Sequence, residues 1–235
     1  GDLNDDGYDD LLIGAYGDDH PEPKTGSIFV MNGGSSAPPP VRTAQFDKDV
    51  QIYGETLFAQ VGRWNAGSVA DVNSDGANDL VVSSPGTESV HVFYTGSGLG
   101  GGSHETTEAD LHFSGTEEAS GFGIGLALGD LDDDGAVDIV IGAPDEQYPG
   151  EGAADSEGQV YVFFGREIEG ASLTATDAGA HFSGREDSDN FGALIRSGFD
   201  MNNDGREDLA ISAPGNNPTM PDGGQVHILM MPPGR

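Results

Sequence analysis

The sequence predicts an all-β chain: a β-propeller of four-stranded antiparallel blades, about four of them in 235 residues. Three observations predict it. One acidic loop occurs four times with a single spacing, and a short apolar run follows each copy directly. Further β-rich runs, punctuated by Gly, Pro, Asn and Asp, recur at matching offsets, and no run has helical spacing. The loops open at Asp2, Asp71, Asp130 and Asp200, separated by 69, 59 and 70 residues, so the repeat is a whole supersecondary unit. A four-stranded blade cannot bury both faces alone, so blades pack face to face around an axis.

Each repeat begins with a Gly-rich apolar stretch. It reads Phe122-Gly123-Ile124-Gly125-Leu126-Ala127-Leu128 in the third repeat and Phe191-Gly192-Ala193-Leu194-Ile195 in the fourth. Its glycines suit an inner strand, where neighbouring blades crowd.

The acidic loop comes next. Oxygen-bearing side chains stand at positions one, three, five and nine: Asp2, Asn4, Asp6 and Asp10; Asp71, Asn73, Asp75 and Asp79; Asp130, Asp132, Asp134 and Asp138; Asp200, Asn202, Asp204 and Asp208. Position seven (Tyr8, Ala77, Ala136, Arg206) would add only its backbone carbonyl. Ca²⁺ takes six to eight oxygens at about 2.3–2.6 Å, and one segment supplies them only by curling around the ion. The Gly after position five permits that curl. The spacing therefore predicts four Ca²⁺ sites.

Two other readings compete. An EF-hand begins similarly but closes with a Glu at position twelve between helices. Here position twelve is Ile13, Val82, Ile141 or Ile211, each inside an apolar run, so the ninth-position Asp closes the loop. The other is a plain turn, since Asn, Asp and Gly dominate turns for steric reasons. Four loops in one register favour the metal.

The apolar run after each loop reads as a buried second strand: Leu11-Leu12-Ile13, Leu80-Val81-Val82, Ile139-Val140-Ile141 and Leu209-Ala210-Ile211. It runs into Gly14-Ala15-Tyr16, Ser83-Ser84-Pro85, Gly142-Ala143-Pro144 or Ser212-Ala213-Pro214. A third strand is predicted at 27–30, 89–93, 159–163 and 225–229, and a shorter fourth at 50–54, 111–115 and 180–184. The repeats span approximately 1–56, 57–116, 117–185 and 186–235, with three, four, four and three strands. The Gly- and Pro-rich segments 33–40 and 95–103 read as connections between outer strands. Incomplete outer repeats leave open strand edges, which invite pairing. They predict a segment of a longer propeller first, self-association through those edges second, and closure of four blades by an unusual route as the remaining alternative.

Phe-Gly, an acidic Ca²⁺ loop and Gly-Ala-Pro, in that order, resemble the FG-GAP repeat of integrin α-chain propellers. Repeats three and four carry the motifs nearly intact. Repeat two departs: Phe58-Ala59 lies too far upstream, Val61-Gly62 stands nearer the expected place, and Ser83-Ser84-Pro85 replaces Gly-Ala-Pro. The resemblance implies Ca²⁺ loops on the lower face joining the first two strands of each blade, and ligand binding on the upper face. The connections 143–158 and 213–224, with Tyr148 and Met220, are then the candidate ligand loops.

Composition narrows the partners. The formal net charge is −32, and 13 acidic residues belong to the four ligand sets. Four Ca²⁺ ions would leave −24, a field that repels nucleic acid and anionic membrane. The absence of Cys excludes a disulfide framework. Structural Ca²⁺ sites predict an extracellular or periplasmic setting, secreted or at a cell surface.

The six histidines supply no catalytic residue. His91 and His227 occupy equivalent third-strand places, His112 and His181 equivalent fourth-strand places, and His20 and His104 fall in loops. No nucleophile motif accompanies them. The sequence thus predicts a non-enzymatic, Ca²⁺-stabilised binding or adhesion module for a protein or glycan; the alternative is an accessory propeller of a larger secreted hydrolase or lyase.

Overall fold

The computed structural model describes residues 1–19, 23, 25–35, 48–63, 67–96, 99–116, 120–145, 157–185, 188–215 and 223–231. Regular structure among them is β-strand plus four single 3-10 turns. His20, Tyr148, Met220 and residues 36–40 lie outside the described residues. The chain forms two compact units, Gly1–His112 and Phe113–Arg235.

In the first unit, β1 (Leu11–Ala15), β2 (Ser27–Met31) and β3 (Val50–Tyr53) are antiparallel neighbours, as are β4 (Ser68–Ala70), β5 (Asp79–Ser84) and β6 (Ser89–Phe93). Alternation along a strand puts every second side chain on one face. Ile28 and Val30 pair with Ile52 and Val50, and this stripe packs with Leu80, Val82 and Phe93 in one cluster. Ile28, Val30, Ile52, Leu80 and Val82 are fully buried, each stabilising by about 1.5–3 kcal/mol.

β7 (Gly102–Glu105) lies parallel to β3, with Gly102 opposite Val50 and His104 opposite Ile52. This corrects the sequence reading, which gave Gly102 and Ser103 to a connection and His104 to a loop. A Gly-Ser-His-Glu run has little intrinsic strand preference. It becomes a strand because the outer edge of β3 offers unpaired backbone groups, and the segment following β6 satisfies them. Glu105 and Glu108 then cap a 3-10 turn reciprocally.

β8 (Leu111–Ser114) starts beside β6, and the unit boundary falls within it. The second unit has the order β9 (Gly125–Gly129), β10 (Asp138–Ala143), β11 (Gln159–Phe163), β13 (Ala180–Ser183), all antiparallel. A further sheet holds β14 (Ile195–Phe199), β15 (Asp208–Ala213) and β16 (Gln225–Leu229). The short β12 (Ser172–Thr174) lies beside β8, where Ser114 Oγ donates to the Leu173 carbonyl at 3.4 Å. The sequence reading assigned no strand there. Val140, Val160 and Val162 of one sheet pack with Ile195, Leu209 and Ile211 of the next.

The motif glycines have a steric reason. A Cβ on Gly142 would stand 2.2 Å from the Gly192 carbonyl oxygen, and Gly192 has φ +95°. In the first unit a Cβ on Gly62 (φ +73°) would stand 3.0 Å from Gly14 Cα. Gly192 and Gly62 therefore each meet the glycine that ends the second strand of the repeat before, a backbone approach that no side chain allows. Within their own repeats, Gly123, Gly192 and Gly62 amides donate to the equivalent Gly142, Ser212 and Ser83 carbonyls. Val61-Gly62 is thus the Phe-Gly equivalent of repeat two.

Candidate metal centres

Each acidic loop is a short curl held by its own side chains. The position-one carboxylate accepts from the amides at positions five and six: Asp6 and Gly7 donate to Asp2, Asp75 and Gly76 to Asp71, Asp134 and Gly135 to Asp130, Asp204 and Gly205 to Asp200, at 2.7–3.2 Å. Position-five Oδ1 accepts from the amide at position seven, which belongs to Tyr8, Ala77, Ala136 or Arg206. Two residues in each loop have positive φ: position four (Asp5, Ser74, Asp133, Asn203, φ 58–61°) and the Gly at position six (φ 85–93°). A chain reversing this tightly needs left-handed backbone, which Gly, Asn and Asp tolerate best.

The ninth-position Asp has a second task. Leu3 N donates to Asp10 Oδ2 while Gly33 N donates to Oδ1, both at 2.7 Å. Val72 and Thr95 amides hold Asp79 likewise, and Leu131 and Gly165 amides hold Asp138. Asp208 Oδ2 accepts from Met201 N at 2.8 Å, while its buried Oδ1 has no partner among the described residues. Asp79, Asp138 and Asp208 are fully buried. In the first three loops this carboxylate clasps the loop to the end of the third strand, which its spacing alone does not reveal.

The third loop is the most charged, with Asp at position three where the others have Asn. Asp130, Asp132 and Asp138 each bring a carboxylate oxygen within 4.8 Å of the others. Burial pushes the Asp138 carboxyl up to about 6 against the pull of the Gly165 and Leu131 amides, with Asp132 and Asp130 adding repulsion. Asp132 is raised by burial and then by Asp134 and Asp130. Its Oδ1 is buried without a partner among the described residues. Burial likewise raises Asp79. Crowded, desolvated carboxylates of this kind fit a hard divalent cation, which would relieve both the repulsion and the orphaned oxygen.

Sequence reasoning missed one participant, Arg166. Its Nε stands 3.2 Å from Asp134 Oδ2, and its Nη2 donates to the Asp134 carbonyl. The repeat register could have found it, since the equivalent residues in the first two repeats are Gly34 and Gly96. The four repeat-matched histidines are strand residues: His91 in β6, His112 in β8, His181 in β13 and His227 in β16.

A family model for the FG-GAP repeat matches residues 1–31, 122–163 and 191–229, and one for the FG-GAP-like repeat matches 71–141. Phosphatidylinositol-glycan-specific phospholipase D of Rattus norvegicus is 32% identical over 200 residues, 81% of this chain and 23% of that protein. The protein of that name from Dictyostelium discoideum is 28% identical over 221 residues, 83% of this chain and 22% of its own length. Integrin alpha-5 of Xenopus laevis is 32% identical over 166 residues, 65% of this chain and 15% of that protein. The chain spans under a quarter of each of these relatives.

Proposed function

We propose, on the premise that this chain belongs to the FG-GAP repeat family, that it is a Ca²⁺-stabilised extracellular recognition module, part of a β-propeller that meets a protein or glycan through its upper-face loops. The observation that carries the reading is the fourfold recurrence of one hydrogen-bonded acidic loop.

Asp2, Asn4, Asp6 and Asp10 would hold the first ion with the Tyr8 carbonyl, and the other loops would use their equivalents through Ala77, Ala136 and Arg206. A bound ion supplies positive charge that lets the carboxylates converge. The protein's own groups do the rest. Position one orients the curl through two amides, and position nine ties the loop to the third strand. The ions on this reading brace the sheets and do not touch the partner. An extracellular or periplasmic setting, rich in Ca²⁺, suits sites of this kind.

The test is thermal unfolding with EDTA and with Ca²⁺. A ligand bound only by the folded state raises the melting temperature by mass action, so chelation lowers it and Ca²⁺ restores it. Identical curves overturn the reading. Recognition is tested by binding the isolated chain to glycan and protein arrays in Ca²⁺.

A second reading, an accessory propeller of a larger secreted hydrolase, is favoured by the phospholipase D relatives, matched over 81% and 83% of this chain. It expects this segment to alter how a linked catalytic domain engages substrate, with no turnover by the segment itself.

A further inference from the structure

We propose that Arg166 is the built-in counter-ion of the third acidic loop, displaced from Asp134 when a divalent cation binds, and that it sets the affinity of this loop apart from the other three. The inference rests on the reading of the loops as ion sites.

Loops one, two and four share a feature the third lacks. Their position-three Asn donates Nδ2 to the position-five Oδ2: Asn4 to Asp6 at 3.3 Å, Asn73 to Asp75 at 3.0 Å and Asn202 to Asp204 at 3.0 Å. Asp132 stands in that place in loop three and, ionised, donates nothing. Asp134 Oδ2 instead meets Arg166 Nε at 3.2 Å. The guanidinium thus replaces a neutral amide donor with a charged one. It offsets one negative charge in the loop that carries four ligand carboxylates where the others carry three.

The repeat geometry puts Arg166 there by register. Gly33, Thr95 and Gly165 amides all donate to the position-nine Oδ1, so the next residues, Gly34, Gly96 and Arg166, are equivalent. At Gly96 a Cβ would stand 2.1 Å from Asp75 Oδ2, so this place abuts the position-five carboxylate in loop two as well. In loop four Arg206 Nη1 is 3.9 Å from Asp204 Oδ2, beyond hydrogen-bond reach of an oxygen that Asn202 already serves. Arg166 is two-thirds exposed, so it can swing into water at little cost when an ion takes its place.

The test is Ca²⁺ titration of the whole chain against a chromophoric chelator at low salt, comparing wild type, Arg166→Gln, Arg166→Lys, Asp134→Ala and the double variant Asp134→Ala/Arg166→Gln. Removing one positive charge a few ångströms from the ion should tighten one binding step about fivefold without changing the number of ions bound. Arg166→Lys, which keeps the charge, should stay within about twofold of wild type. The gain should shrink in 0.5 M salt, because exposed charges are screened. It should vanish in the Asp134→Ala background, which assigns it to loop three. Unchanged or weaker binding in Arg166→Gln, with wild type still binding Ca²⁺, overturns this inference and leaves the ion-site reading intact. No Ca²⁺ binding by wild type overturns both.

Discussion

Gly142 and Gly192 touch backbone to backbone across consecutive sheets of the second unit, with 2.2 Å between the Gly192 carbonyl oxygen and a Cβ built on Gly142. Gly192→Ala would also bring a Cβ to 2.8 Å from the Gln159 carbonyl oxygen. Gly170 has a similar φ of +89° but nothing within 4 Å of its Cβ position. Backbone strain alone costs about 1–3 kcal/mol, and overpacking adds a similar amount. Chemical denaturation should therefore find Gly192→Ala clearly less stable than Gly170→Ala. Equal losses would remove the contact as the reason for the motif.

His91 and His112 face each other with Nδ1 atoms 3.0 Å apart, and His91 Nε2 lies 3.2 Å from Ser89 Oγ. Burial, aided by His112, holds His91 down to about 3. Its folded value lies below its unfolded value of 6.5, so its contribution is full above pH 6.5 and is lost as pH falls toward 3. The slope is about 1.4 kcal/mol per pH unit. His91→Phe, which borrows the equivalent residue Phe29, should flatten the pH 6.5–4 profile. A profile as steep as wild type would show that His91 is not held neutral.

Asp138 has the opposite sign. Its folded carboxyl is pushed up to about 6 from 3.8, so in EDTA its contribution is greatest below pH 3.8 and declines as pH rises through 6. The loss approaches about 3 kcal/mol. Asp138→Asn in EDTA should remove this decline, and the difference between the two pH profiles isolates it from that of His91. In saturating Ca²⁺ wild type should instead gain stability over the same range. Parallel wild-type and variant profiles in EDTA would contradict the burial argument.

Phe113 is fully buried with its ring centroid 4.6 Å from that of Phe163. Phe113→Ala should cost about 3–5 kcal/mol in urea unfolding, the usual price of an aromatic cavity. A loss under 1 kcal/mol would show that the second unit does not depend on this pair.

Much of this was legible because it is local. The β2, β6, β11 and β16 strands fall where the β-rich runs recur at matching offsets in each repeat, and the curl of each loop follows from Asp, Asn and Gly within nine residues. Long-range choices were not legible. Residues Gly102–Glu105 carry no strand signal of their own; the open edge of β3, some fifty residues earlier, makes them one. Arg166 is an ordinary surface cation until the fold sets it beside Asp134, 32 positions away.

The sequence by itself determined the repeat, the all-β character and the residues of the acidic loops, because hydrogen bonds and steric limits within a few residues dictate them. Only the tertiary structure decided that the ninth-position Asp clasps its loop to the third strand, that the motif glycines meet one another, and that the third loop carries its own cation. Each depends on which backbone edges and carboxylates are brought together in space, and neighbours along the chain do not encode that.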